Sequence, residues 1–347
     1  ITGQGFAGTT NNVGVLITNA SGTPSQLSAN GGITIKGTGG AGSGTGNTGV
    51  LIVGSTVQTA GTGGITITGT RGTGTDSNIG VALNSANVIS TTNGTGAISL
   101  TAGSGGTVSG IRNYGILLVS GGTIQSQKTT GGSTITLNGT GGGGQGINYG
   151  VMLDGSGGTN QVTSISGDIN ITGTGGTGTV QGQNTGVFVN LGGSIIETQG
   201  TANISILGNS GNNGSGQNGI FIGQNAFVSS SAASTGAILM TGIANGTGPT
   251  TGLAIQIGGT VRSLNTTGGG TITLNGTGAS GATSNNFGVA VFGTVTSASG
   301  NIGITGTGGS GGTLNDGVSL SNGGIVESTG TANVEDAALE SLPGRPV

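Results

Sequence analysis

One unit recurs along nearly the whole chain, and its spacing constrains the fold more than anything else in the sequence. Its first apolar pair stands at Ile33/Ile35, Ile65/Ile67, Ile98/Leu100, Ile135/Leu137, Ile169/Ile171, Ile204/Ile206, Ile238/Met240, Ile272/Leu274 and Ile302/Ile304, so successive units start 30 to 37 residues apart. A glycine and a second apolar segment follow in each, as in "GVLIV" at 49, "GVML" at 150, "GIFI" at 219 and "GLAIQI" at 252. A third, shorter segment is marked by Val57, Val88, Ile124, Val162, Ile195, Val228, Val261, Val295 and Ile325. Within the segments apolar and polar residues alternate at period two, and Gly, Asn, Ser and Thr punctuate the gaps, which predicts strands. Three strands in roughly 34 residues describe one coil of a solenoid, each strand pairing with its equivalents in the coils above and below. The expected fold is therefore all-β: a parallel β-helix of about ten coils with three short strands each, ~50 Å long at a rise of ~4.8 Å.

The repeat makes 1–333 a single domain, and 334–347, "VEDAALESLPGRPV", reads as a tail, cap or processing linker. The chain opens on Ile1 in mid-repeat, and "TANV" at 331 echoes "TANI" at 201. A processed piece of a longer precursor is expected, with open strand edges at Ile1, Thr2 and Val334 that offer an end-to-end interface.

Composition bounds the chemistry. The 86 glycines follow no every-third-residue period and only 4 prolines accompany them, so collagen is excluded, while apolar segments in register nine times are not a linker. With no Cys and no His, thiolate sites, disulfides and the commonest general base are absent. Six basic residues are scattered singly and the net charge is −3, which provides no stripe for a phosphate backbone; nucleic acid is not an expected partner. No apolar run reaches the ~18 residues of a membrane span.

The acids Asp76, Asp154, Asp168, Glu197, Asp316 and Glu327 form no pair spaced for acid/base work; Asp76 and Asp316 read as one column seven coils apart. They do not recur in every coil as calcium-binding solenoids require, so no enzyme activity, metal or cofactor is expected. "GTGGAG" at 37 fits a dinucleotide fingerprint but carries no weight at this glycine content. Sequons such as "NGT" at 138 and 275 follow from composition, with glycosylation open.

Columns across the repeat carry more information. Asn12, Asn47, Asn78, Asn113, Asn148, Asn184, Asn286 and Asn315 each stand two residues ahead of the glycine that opens the second segment, with Gln217 and Thr250 in the two remaining coils. Stacked amides of this kind form a structural ladder from coil to coil. On the second strand the column between the flanking aliphatics reads Leu51, Ala82, Leu117, Met152, Phe188, Phe221, Ala254, Ala290 and Ser319. If it faces outward it is an apolar stripe that needs cover from a neighbouring rod or from the chain's own loops, and reversed facing of the strand is the third alternative. Leu51, Leu117, Met152, Phe188 and Phe221 are the candidate lateral interface.

With the units aligned, "GITITGTGG…N.GV.L..GG.V.S..G" resembles the β-solenoid repeats of large secreted bacterial surface proteins, of the filamentous-haemagglutinin and autotransporter-passenger kind. The resemblance implies export to the cell surface, a right-handed helix, and roles in adhesion, surface fibres or matrix. The expected function is a structural extracellular rod that assembles head to tail into filaments, its partner being a further copy of itself. The alternative is an adhesin passenger whose loops bind surface glycans or host protein. A minor alternative is ice binding through the Thr-x-Thr rows, as in "ITITGT" (Thr66, Thr68, Thr70), although Leu207, Leu239 and Ile243 break them.

Overall fold

The computed structural model describes all residues except 20–21, 91–93, 104, 106–107, 179–181, 213–215, 247–250, 281–284, 331 and 338–347. Its strands form three parallel sheets of 11, 10 and 10 strands, and within each sheet every strand pairs with the strand three further along the chain. Each coil thus contributes one strand to each sheet, as expected of a parallel β-solenoid. The first sheet runs from Thr2–Gln4 through six-residue strands such as Ile33–Thr38 to Val334–Ala337. The second runs from Val15–Thr18 to Val318–Leu320, and the third from Gln26–Ala29 to Ile325–Ser328.

The core lies between the three sheets. Ile65 and Ile67 from the first, Val81 and Leu83 from the second and Val88 from the third are fully buried, and the same set repeats coil after coil. Each such side chain contributes about 1.5–3 kcal/mol on burial, which identical stacking multiplies along the axis. The first-sheet register aligns Ile65, Ile98, Ile135, Ile169 and Ile204 in one column, as the sequence pairs predict. Units of 37 residues (98 to 135) and 30 residues (272 to 302) both keep six-residue strands in step, so loops absorb the whole difference.

Glycine is required at one contact above all. In the first-sheet strands, Gly37, Gly69, Gly139, Gly173, Gly208 and Gly276 approach the carbonyl of the residue just before the second strand so closely that an added Cβ would lie under 3.0 Å from its oxygen. That approach draws the first and second sheets together at their shared corner. One coil uses Ala102 there instead, 2% exposed.

Three sequence expectations are corrected. The third-segment column marked in the sequence by Ile195 and Ile325 runs instead through Ile196 and Val326: Val162 pairs with Ile196 and Val295 with Val326, since only one of two adjacent aliphatics has inward parity. In "TTGLAIQI" the glycine that precedes the second strand is replaced by Ala254, so the outward stripe continues from Phe221 to Gln256 rather than to Ala254. Val334–Ala337 pairs with Ile302–Thr305 as a further strand of the first sheet, so the repeat enters the segment set apart as a tail.

Candidate functional site

The corner between first and second strands is built on a left-handed residue. Asn11, Ser77, Arg112, Ile147, Asn285 and Leu314 have φ between 54° and 61°, and each immediately precedes an asparagine of the ladder. For Ile147 and Leu314 this backbone is strained, and the surrounding stack holds it. The turn aims the asparagine inward, where Asn47, Asn78, Asn113, Asn148, Asn184 and Asn286 are fully buried.

The ladder is mixed rather than purely amide to amide. The backbone N–H groups of Asn12, Asn47, Asn78, Asn113 and Asn148 donate to the Oδ1 of the asparagine one coil further on, at 2.9 to 3.2 Å. Side-chain Nδ2 joins the same acceptor from Asn12 to Asn47 and from Asn78 to Asn113, while Asn286 donates Nδ2–H to Asn315 Oδ1 and its backbone N–H to the Leu314 carbonyl. Elsewhere Nδ2 turns to the loop, as Asn113 does to the Thr75 carbonyl at 3.0 Å. The Nδ2 atoms of Asn148 and Asn184 are buried with no hydrogen-bond partner. Gln217 leaves the axis to bond the Gly182 carbonyl, and the next slot belongs to Gly252, because Leu253 and Phe287 are the paired neighbours; Thr250 lies outside the described residues.

A second polar column escaped the sequence reading. Thr59, Ser90, Ser126, Ser164, Thr198, Ser230, Ser263 and Ser297 end the third-sheet strands and are buried. The signal was a Ser or Thr two residues after each inward aliphatic. Some cap the following turn, as Ser164 and Ser297 do by accepting from the N–H groups of Gly167 and Gly300.

Outside the second sheet the predicted apolar stripe is present, and the chain's own corner covers its middle. Met152 and Phe188 are buried beside Ile79, Tyr114 and Tyr149, while Leu51, Leu117 and Phe221 remain half-exposed. Tyr114, Tyr149, Phe188 and Phe221 stack in sequence with centroids 5.5, 4.5 and 4.7 Å apart and planes within 9°. Ring faces therefore meet one another along the axis, and ring edges point outward.

Three hollows follow this stripe along the rod. The first is lined by Leu16, Leu51 and Asn84, the middle one (≈ 570 Å³) by Arg112, Met152, Asp154 and Phe188, and the last by Gln256, Phe292 and Asp316. Burial pushes the Tyr114 hydroxyl up to about 12, with Arg112 opposing and Asp154 adding to the rise; the Tyr149 hydroxyl, which donates to Gln183 Oε1 at 3.1 Å, is raised further. Arg71, buried at the corner, donates to the Thr140 carbonyl at 3.0 Å, and desolvation lowers it to about 10.

Three of the acids serve the backbone. Asp76 accepts from Ile111 N–H at 2.7 Å, Asp154 from Ser156 N–H at 3.1 Å and Asp168 from Asn203 N–H at 2.8 Å. Asp316 occupies the Phe287 column, three positions away from that of Asp76, so the two do not share a column as the sequence suggested. Among the described residues no three metal-ligating side chains gather, and no helix is long and apolar enough to cross a membrane. Ile1 and Val334 are exposed; Thr2 pairs with Lys36, and Val334 with Ile302, so both end strands sit on the outermost rungs of the first sheet. These features define a three-sheeted parallel β-solenoid with a buried asparagine ladder. Comparison with protein-family models, curated proteins and solved structures finds no match.

Proposed function

We propose that the chain is a structural rod of the cell exterior, a length-building segment of a surface fibre or matrix. The observation that carries this reading is the unbroken parallel register of all three sheets from the first rung to the last. A stack of this kind resists bending, and its outer rungs accept another rung of the same geometry, whether from the same polypeptide or from a second copy. Low charge lets such rods approach with little repulsion. Electron microscopy of the purified chain at rising concentration tests assembly: uniform threads support the filament, and isolated rods at every concentration oppose it.

A second reading, an adhesin passenger, is supported by the hollows along the second sheet, whose apolar floor and polar rim suit an extended glycan or peptide. The mutual stacking of Tyr149, Phe188 and Phe221 leaves few ring faces for a sugar, which places this reading second. Saturable binding of soluble glycans by isolated rods would reverse that order.

A further inference from the structure

We propose that the outer face of the first sheet is an ice-binding surface. From Ile33–Thr38 to Ile302–Thr307, nine six-residue strands each send their second, fourth and sixth side chains outward, and inward positions alternate with them throughout. Of those 27 outward positions (9 × 3), 15 are threonine, among them Thr66, Thr68 and Thr70 in one strand and Thr172 and Thr174 in another. Lys36 is the one charged residue in the array, and no aromatic residue stands in it.

Strand propensity alone does not account for this. Threonine suits any exposed strand, yet on the third sheet, built on the same rungs, it takes only 6 of the 20 outward positions (10 × 2), which also hold Glu197, Arg262 and Glu327. The enrichment belongs to one face. Uneven unit lengths do not disturb it, since the register carries Thr66 to Ser99 and Thr136, and Thr68 to Thr101, without a bulge.

The array repeats at ~4.8 Å along the rod and about 6.6 Å across it, the strand spacing and twice the residue rise. A rigid lattice with a single charge, Lys36, near one end matches a partner that is itself periodic and uncharged. Ice and crystalline polysaccharide both qualify, but the latter is gripped by exposed rings stacking on sugar faces, and this face has none. Each threonine offers water a hydroxyl anchor beside a methyl that water cages without bonding. The face spans about 40 Å by 15 Å, roughly 600 Å², close to the ~800 Å² one partner contributes to a stable interface. Leu207, Leu239 and Ile243 interrupt the hydroxyls but stand in the same outward positions, the first and last half-buried.

The test is inhibition of ice recrystallisation and thermal hysteresis, measured on the chain and on two triple variants. Thr68→Lys/Thr172→Lys/Thr241→Lys changes the column in which Lys36 already stands, so the fold accommodates lysine there; Thr123→Lys/Thr163→Lys/Thr296→Lys adds the same charge to the third sheet. The first set is expected to abolish ice activity and the second to leave it unchanged, with circular dichroism unaltered in both. Should the first set unfold, Lys36→Thr, which extends the threonine row, is expected to raise the activity. An inactive parent chain, or equal losses in both sets, overturns the proposal; adsorption to crystalline chitin or cellulose without any effect on ice also overturns it. The outcome is independent of rod assembly, because isolated rods carry the same face.

Discussion

The Asn113 side chain works in two directions. Its Oδ1 accepts both the backbone N–H and the Nδ2–H of Asn78 at 3.0 Å, while its Nδ2 holds the Thr75 carbonyl of the preceding loop. Asn113→Ala strands several buried polar groups at once and is expected to cost about 3 kcal/mol. Asn148→Ala removes an Oδ1 that serves only the Asn113 N–H and an Nδ2 without a partner, so about 1–2 kcal/mol is expected. Denaturant melts of both variants check the difference. The buried tyrosines set a second expectation. Because folding raises Tyr114 to about 12 and Tyr149 further, their contribution is whole below the unfolded value of about 10 and is lost as pH rises above it. Arg71, lowered by burial, acts in the opposite sense over the same window, but one group opposes two. The thermal midpoint should therefore fall between about pH 10 and 12, and Tyr114→Phe with Tyr149→Phe should remove that fall.

At the scale of the strand, the corner where first and second sheets meet is set by an absent side chain. Gly173→Ala would drive a Cβ into the Gly186 carbonyl and is expected to destabilise the rod by a few kcal/mol, about what overpacking a core costs. Ala102→Gly, at the one coil that already tolerates the methyl, is expected to change stability by under about 1 kcal/mol; urea midpoints of the two compare them. Strand parity explains what the sequence disclosed. Ile98 and Leu100, separated by one polar residue, could face only the core together, and the whole first sheet follows from such pairs. Ile195 and Ile196 are adjacent, so composition left their facing open and only the pairing to Val162 decided it. Likewise "TTGLAIQI" offered a glycine two residues too early, which displaced the ladder slot from Gly252 to Thr250. The buried hydroxyl column was written in the sequence but resembled ordinary turn residues, since nothing local tells an inward serine from a solvated one. The aromatic stack was not legible, because Tyr149 and Phe188 belong to different columns that meet only across coils.

For the molecule as a whole, faces differ more than coils do: one is hydroxylated, one apolar and grooved, one mixed and polar. If rods pack laterally, the half-exposed Leu51, Leu117 and Phe221 make the second sheet the contact, and Leu51→Asp with Leu117→Asp, which leaves the aromatic stack untouched, should disperse bundles while leaving the circular dichroism spectrum intact; bundling that persists in light scattering would assign the contact to another face. The tolerance for units of 30 to 37 residues has a consequence for how such a molecule changes over generations. Since a loop accepts surplus residues without moving the rungs beside it, an unequal exchange between two similar stretches of its gene adds or removes one step of a ruler and leaves every other graduation where it was.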